Sequence, residues 1–182
     1  MKSVVNLRTE PAGLPVVADD ILEFHASRLI LLLHLCGIGG RITGLTKIAK
    51  LDFFVRYPQF FDEVCRVLDH DVPQSVLPVE SSMIRFHYGP WDKRYYHVLA
   101  YLKAKNLVQI CKTGNAYVFS LTAQGKDVAA QLKTKGSYRD LVEHMKSVKN
   151  LLGHRTGSSL KDLVYRVFDK EGGERRLGEV IR

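Results

Sequence analysis

From Ile21 to Cys36 the apolar positions 21, 22, 24, 29 to 33 and 35 leave almost no polar stripe, a pattern that predicts a helix buried on nearly every side. Gly37, Gly39 and Gly40 stop it. Leu45, Ile48, Leu51, Phe54 and Val55 then recur at helical spacing, so a second helix opens at Thr43 or Thr46 and runs through Arg56, where Pro58 ends or bends it. A short helix from Phe60 to Leu68 and an irregular stretch holding Pro73 and Pro78 come next. Across Ser82 to Tyr88, Met83, Arg85 and His87 alternate with Ile84, Phe86 and Tyr88, the period of a half-buried strand. Gly89 breaks it, and Pro90 suits the first turn of a helix beginning near Trp91 and reaching about Lys105. On that helix Trp91, Tyr95, Val98, Leu99 and Leu102 share one side, while Lys93, Arg94, His97, Tyr101 and Lys105 share the other.

Leu107 to Lys112 and Ala116 to Leu121 are strand-like runs joined by Thr113, Gly114 and Asn115, which predicts a hairpin. Thr122 is placed to cap a helix reaching Lys135. Two amphipathic helices follow, with seams of Tyr138, Leu141, Met145, Val148 and Leu152, then Leu160, Leu163, Val164, Val167 and Phe168. The order helix, helix, strand, helix, hairpin, helix predicts an α+β, mostly helical chain: a winged helix-turn-helix domain with additional C-terminal helices. Residues 1–18 read as an N-terminal arm, 19–136 as the winged-helix domain with an insertion at about 57–81, and 137–182 as a helical docking segment and tail.

Composition changes this picture in two ways. The formal charge of +8 is uneven: residues 1–81 carry a net −2, whereas 82–132 and 133–182 carry +5 each. A positive field over the second half favours polyanions, nucleic acid before acidic protein. The apolar block near residue 30 is too short for a bilayer, which needs about 20 apolar residues, and the N-terminus mixes charges and prolines, so a cytoplasmic protein without membrane contact is expected. Three cysteines without C-x-x-C spacing agree with reduced thiols.

Chemistry-bearing motifs are sparse. The histidines form no H-x-x-x-H pair, the carboxylates lack the D…E-x-K arrangement of metal-dependent nucleases, and no glycine-rich loop precedes a phosphate-binding lysine. The expectation is a non-enzymatic protein with no cofactor, no metal and no catalytic residue. The basic helix face instead suggests duplex DNA, with Lys93, Arg94 and Lys105 on phosphates, His97 or Tyr101 near bases, and Lys112 and Lys126 extending the track. A solvated helix surface fits the same face. In LDFFVRYP, Asp52 and Arg56 are spaced to pair along a helix, and adjacent Phe53 and Phe54 cannot share one side. Phe53, Arg56 and Tyr57 are therefore candidates for a partner surface, as are Leu141, Met145, Val148 and Leu152 if their seam docks outward rather than in cis.

The stretches GLTKIAKLDFFVRYP (44–58), VESSMIRFHYGPWDKRYYHVLAYLKAKNLV (79–108), FSLTAQG (119–125) and GSSLKDLVYRVF (157–168) resemble the winged-helix middle component of bacterial ABC-three-component systems. That group includes the accessory subunit of Lamassu-type anti-phage defence. The resemblance covers most of residues 20–181, and LDFFVRYP and YGPWDKRYY are its specific parts. It implies a non-catalytic adaptor in an assembly with an SMC-like ATPase and an effector, often a nuclease. The alternative is a stand-alone winged-helix transcription regulator, for which the 138–152 seam could supply the dimer that a two-fold operator requires.

Overall fold

The computed structural model describes residues 21–72, 83–86, 89–170 and 180–181, with side chains over 21–72 and 91–167. The N-terminal arm, the Pro73 to Ser82 stretch, His87 and Tyr88 and residues 171–179 of the tail lie outside the described residues. The chain is α+β and mostly helical.

Helix α1 (Leu22–Cys36) is the central element its composition predicts, packed against α2 (Leu45–Arg56), α4 (Arg94–Ala104), α5 (Ala123–Lys133) and α6 (Arg139–Leu152). Leu29 to Leu33 are at most 3% exposed. After α1, Gly39 and Gly40 adopt φ of 63° and 73°, left-handed values that side chains with a Cβ resist. The reversal feeds a strand absent from the sequence reading, β1 (Arg41–Thr43), so Thr43 is not a helix cap, and α2 begins after Gly44. Three residues are too few to display a period.

β1 pairs antiparallel with β5 (Ala116–Leu121), setting Arg41 against Ser120, Ile42 against Phe119 and Thr43 against Val118. β5 forms the expected hairpin with β4 (Val108–Thr113), giving a three-stranded sheet in the order β1-β5-β4. The strand that joins the hairpin is thus β1 and not the 82–88 run. That run supplies β2 (Met83–Phe86), which pairs with β3 (Gly89–Trp91) and β6 (Val180–Ile181) in a separate sheet.

Pairing across β3 also corrects the start of α4. Pro90 and Trp91 are in the strand, and the helix begins at Arg94, whose amide donates to the Asp92 carboxylate at 2.9 Å. Trp91 is only half-buried and meets Tyr95 edge-on at 5.6 Å. Thr122 caps α5 as its position predicts, its hydroxyl accepting from the Gly125 amide at 2.9 Å.

The region expected as an insertion begins with α3 (Pro58–Val67), and this helix is part of the core. Phe60, Phe61, Val64 and Cys65 are buried, and Phe53 stacks within 5.1–5.2 Å of Phe54, Tyr57 and Phe60. Both C-terminal helices fold back on the rest of the chain, α6 on α1 and α2, and α7 (Gly157–Lys170) on α2 and α3. His144 fixes this closure: its Nε2 lies 2.9 Å from the Phe54 carbonyl oxygen, and its ring meets Phe61 edge-on at 5.3 Å. Burial holds the His144 imidazole below its ordinary range, although the Phe54 carbonyl and Asp62 favour its charged form. Among the described residues no helix is long and apolar enough to cross a membrane.

Candidate nucleic-acid interface

The outer side of α4 follows from its period. Tyr95, Val98, Leu99 and Leu102 turn into the core, which leaves Lys93, Tyr96, His97, Ala100, Lys103, Ala104 and Lys105 exposed. Lys93, His97 and Lys105 are therefore available as expected. Tyr101 is half-buried against the core, and the Lys105 ammonium sits 5.7 Å from its ring centroid, within cation–π range.

Arg94 departs from the expectation. Its side chain turns inward and clasps Asp92, Nε to Oδ1 at 2.9 Å and Nη2 to Oδ2 at 2.8 Å, with Nη1 2.9 Å from His25 Nε2. A helical wheel puts Arg94 outside, but first-turn side chains lean toward the helix N-terminus, and Asp92 waits there. A guanidinium already forked on a carboxylate is a poor phosphate ligand.

Beneath α4 this clasp continues into a buried polar network. Asp52, fully buried on α2, accepts from Arg28 Nε at 2.9 Å and from the Tyr95 hydroxyl at 2.7 Å. Arg56, also fully buried, gives its Nη1 to Asp92 Oδ2 at 2.7 Å and lies 4.0 Å from Asp52. His25 lies between Arg28 and Arg94, 3.2 Å from one and 2.9 Å from the other. A neutral imidazole has one acceptor nitrogen, so one of those contacts at a time is a hydrogen bond. The network ties α1, α2 and the start of α4 into one unit, orienting the exposed face of α4.

Asp92 makes this tie sensitive to pH. Burial by itself would raise its carboxyl, but hydrogen bonds from the Arg94 side chain and amide, with the charges of Arg56 and Arg94, outweigh it and hold the group at about 2 against an ordinary 3.8. A depressed carboxylate stabilises the fold above its unfolded value, and that contribution is lost as pH falls through the folded one. It amounts to about 2 kcal/mol, disappearing between about pH 5 and pH 2. Denaturant titrations over that range should show the loss in the native chain and a correspondingly flatter profile in Asp92→Asn. An unchanged profile in the variant would remove Asp92 from this role.

Lys112 is exposed on β4 opposite Tyr117, and Lys126 is exposed on α5. The Lys126 side chain lies over Gly40, which accepts from the Leu121 amide at the far end of β5. Tyr117 and Leu121 are separated by roughly 13 Å of strand, so Lys112 and Lys126 mark opposite ends of the sheet rather than one short track. Between α4 and the hairpin runs an apolar groove of about 470 Å³, floored by Leu45, Leu99, Ile110 and Phe119. Tyr96 and Tyr117 stand at it, 65% and 54% exposed, and Lys103 closes one side. Lys103 and Tyr117 escaped the sequence reading. The alternation of Tyr117 with Phe119 on one face of β5 was the available signal for the second.

The residues expected to meet a partner are placed inside this chain. Phe53, Arg56 and Tyr57 are at most 2% exposed, and Leu141, Met145, Val148 and Leu152 at most 6%. Adjacent Phe53 and Phe54 are both covered because α2 is packed by several elements at once, α1, α3, α6 and α7. Of the two dispositions the sequence left open for the α6 seam, packing in cis and docking outward, the structure has it packed in cis. Among the described residues no cluster of three or more histidine, cysteine, aspartate or glutamate side chains could hold a metal ion. No known protein family, curated protein or solved structure matches this chain.

Proposed function

We propose that this chain is a non-catalytic winged-helix adaptor that holds duplex DNA through α4 and the β4–β5 hairpin, within an assembly containing an SMC-like ATPase and an effector nuclease. The observation that carries the reading is the sheet order β1-β5-β4 beside α4. A short strand after the first helix, paired with the returning strand of a hairpin that follows α4, supports the winged-helix reading, in which α3, β2 and β3 would be an insertion before α4. Lys93, Lys103, Lys105 and Lys112 are exposed on α4 and the hairpin, where a duplex backbone would pass.

The adaptor half of the proposal is supported by the groove between α4 and the hairpin. An apolar floor flanked by exposed tyrosines suits an apolar side chain of a partner protein better than a phosphate. The rival reading, a free-standing regulator, loses the α6 seam as a dimer interface because that seam is internal. The anti-phage setting rests on the sequence resemblance alone. Recovery of a tagged chain from its native operon together with a large ATPase and a nuclease would support the assembly, and recovery of the chain alone would overturn it.

On α4 the cations free to face phosphates are Lys93, Lys103 and Lys105, since Arg94 is engaged on Asp92. If all three neutralise phosphates, they contribute about −2.7 to the slope of log K against log salt, roughly a 40-fold loss of affinity between about 50 and 200 mM. The triple alanine variant should flatten the slope by that amount on any duplex. Fluorescence anisotropy showing the same slope and affinity in the variant would mean that α4 does not carry DNA.

A further inference from the structure

The sheet has a second face. Ile42, Phe119 and Val108 turn into the core, so Arg41 and Thr43 on β1, Ser120 on β5 and Gln109 on β4 turn outward. The opposite wall is the connection between α6 and α7, and Lys47 enters from the first turn of α2. Together they enclose an open cleft of about 780 Å³, well within the range of small-molecule sites, about 300–1,000 Å³.

Its charge is one-sided. Arg41, Lys47, His154 and Arg155 all line it, and none of its described lining residues is acidic. Arg41 and His154 are exposed, and among the described residues the Arg155 side chain reaches the Ser159 hydroxyl at a long 3.4 Å from Nη1. Lys47 is partly committed, donating to the Gly153 carbonyl at 2.8 Å. Burial, then the charge of Lys149, holds the Lys47 ammonium below its ordinary range. The charges of Arg41, Lys47 and Arg155, gathered in a concave site with no carboxylate among its described lining residues, raise the local potential and concentrate anions.

We infer that this cleft binds a phosphate-bearing small molecule of nucleotide size, gripped by Arg41 and Arg155 with Lys47 and His154 beside them. Two guanidiniums match the forked geometry of phosphate oxygens, and the outward hydroxyls and amide of Thr43, Ser120 and Gln109 add neutral donors. The number of cations exceeds what one carboxylate would neutralise, which favours a polyphosphate. Ile38, 57% exposed at the cleft, offers an apolar ledge for a base or sugar. The site lies across the sheet from the α4 groove, which uses Ile110, Tyr117 and Phe119 of the inward face, so it stands or falls independently of duplex binding at α4.

Titration calorimetry of the full chain at physiological ionic strength tests this with ATP, pyrophosphate and a short single-stranded oligonucleotide as probes. ATP and pyrophosphate should bind with one-to-one stoichiometry. Loss of one charge-assisted contact should weaken binding about tenfold or more in Arg41→Ala and in Arg155→Ala. Arg66→Ala and Lys146→Ala, exposed residues outside the cleft, should leave it unchanged, and thermal melts identify any variant that is unfolded. No heat with either probe on the folded chain would overturn the inference. So would binding that both arginine variants retain. Binding of the oligonucleotide alone would equally overturn it, marking the cleft as a nucleic-acid track.

Discussion

Truncation after Lys135 is expected to abolish cooperative folding rather than to release a free-standing domain. The lost helices carry Leu141, Met145, Val148, Leu152, Leu160, Leu163, Val164 and Val167, all at most 6% exposed and all packed within this chain. At about 1.5–3 kcal/mol for each buried side chain, their removal costs well over 10 kcal/mol, comparable with the whole net stability of a domain, about 5–15 kcal/mol. The truncation would also uncover the apolar sides of α1 and α2 that α6 and α7 now cover. Circular dichroism melts give the test: a truncated chain with a sharp transition near that of the full chain would show that α1 to α5 form a self-sufficient core. Met145→Ala is the milder version, expected to cost about 2–5 kcal/mol with the fold retained.

Asp52→Ala should be the most damaging single substitution in the polar interior, at about 3–5 kcal/mol, because it takes away the carboxylate against which the buried Arg28 guanidinium lies. The Tyr95 hydroxyl loses its acceptor at the same time. Its proton is held well above the ordinary phenol range, by burial first and then by the Asp52 charge. Replacing both members of the pair, as Arg28→Met with Asp52→Leu, should recover much of the loss, since the desolvation of two ions disappears with their attraction. Denaturant unfolding of the two single variants and the double variant isolates the coupling. A loss below about 1 kcal/mol in Asp52→Ala would mean that the pair behaves like a surface ion pair.

Much of the helical framework was legible because a helix long enough to repeat its period three times announces its buried face. That held for α1, α2, α4 and α6, and the hairpin was legible from the glycine turn between two strand-like runs. Thr122 could be assigned because a capping hydroxyl needs only its own position before a helix. The candidate basic face was legible by the same logic, and Lys93, His97 and Lys105 are exposed where the wheel puts them. Arg94 was misread because its immediate partner, two residues away, overrides the wheel. The basic cleft was invisible, since Arg41, Lys47, His154 and Arg155 come from segments more than a hundred residues apart, brought together only by the return of α7 to α2.

Which stretches become helices, and which residues on them are apolar, can be read along the chain, because backbone periodicity acts within a few residues. Whether an apolar seam is covered by this chain or by another is a different matter. It depends on which surfaces come to rest against one another, and the packing of α6 and α7 onto α1, α2 and α3 decided that Leu141, Met145, Val148 and Leu152 are core. The same closure decided the fate of the charged residues. Arg28, Lys50, Asp52 and Arg56 stand among polar and apolar neighbours that any surface helix could show, yet they are at most 1% exposed. The Lys50 ammonium is pushed down to about 8, by burial first and then by Lys161. Burial of a charge is set by the distance to water, and that distance exists only once the helices have packed.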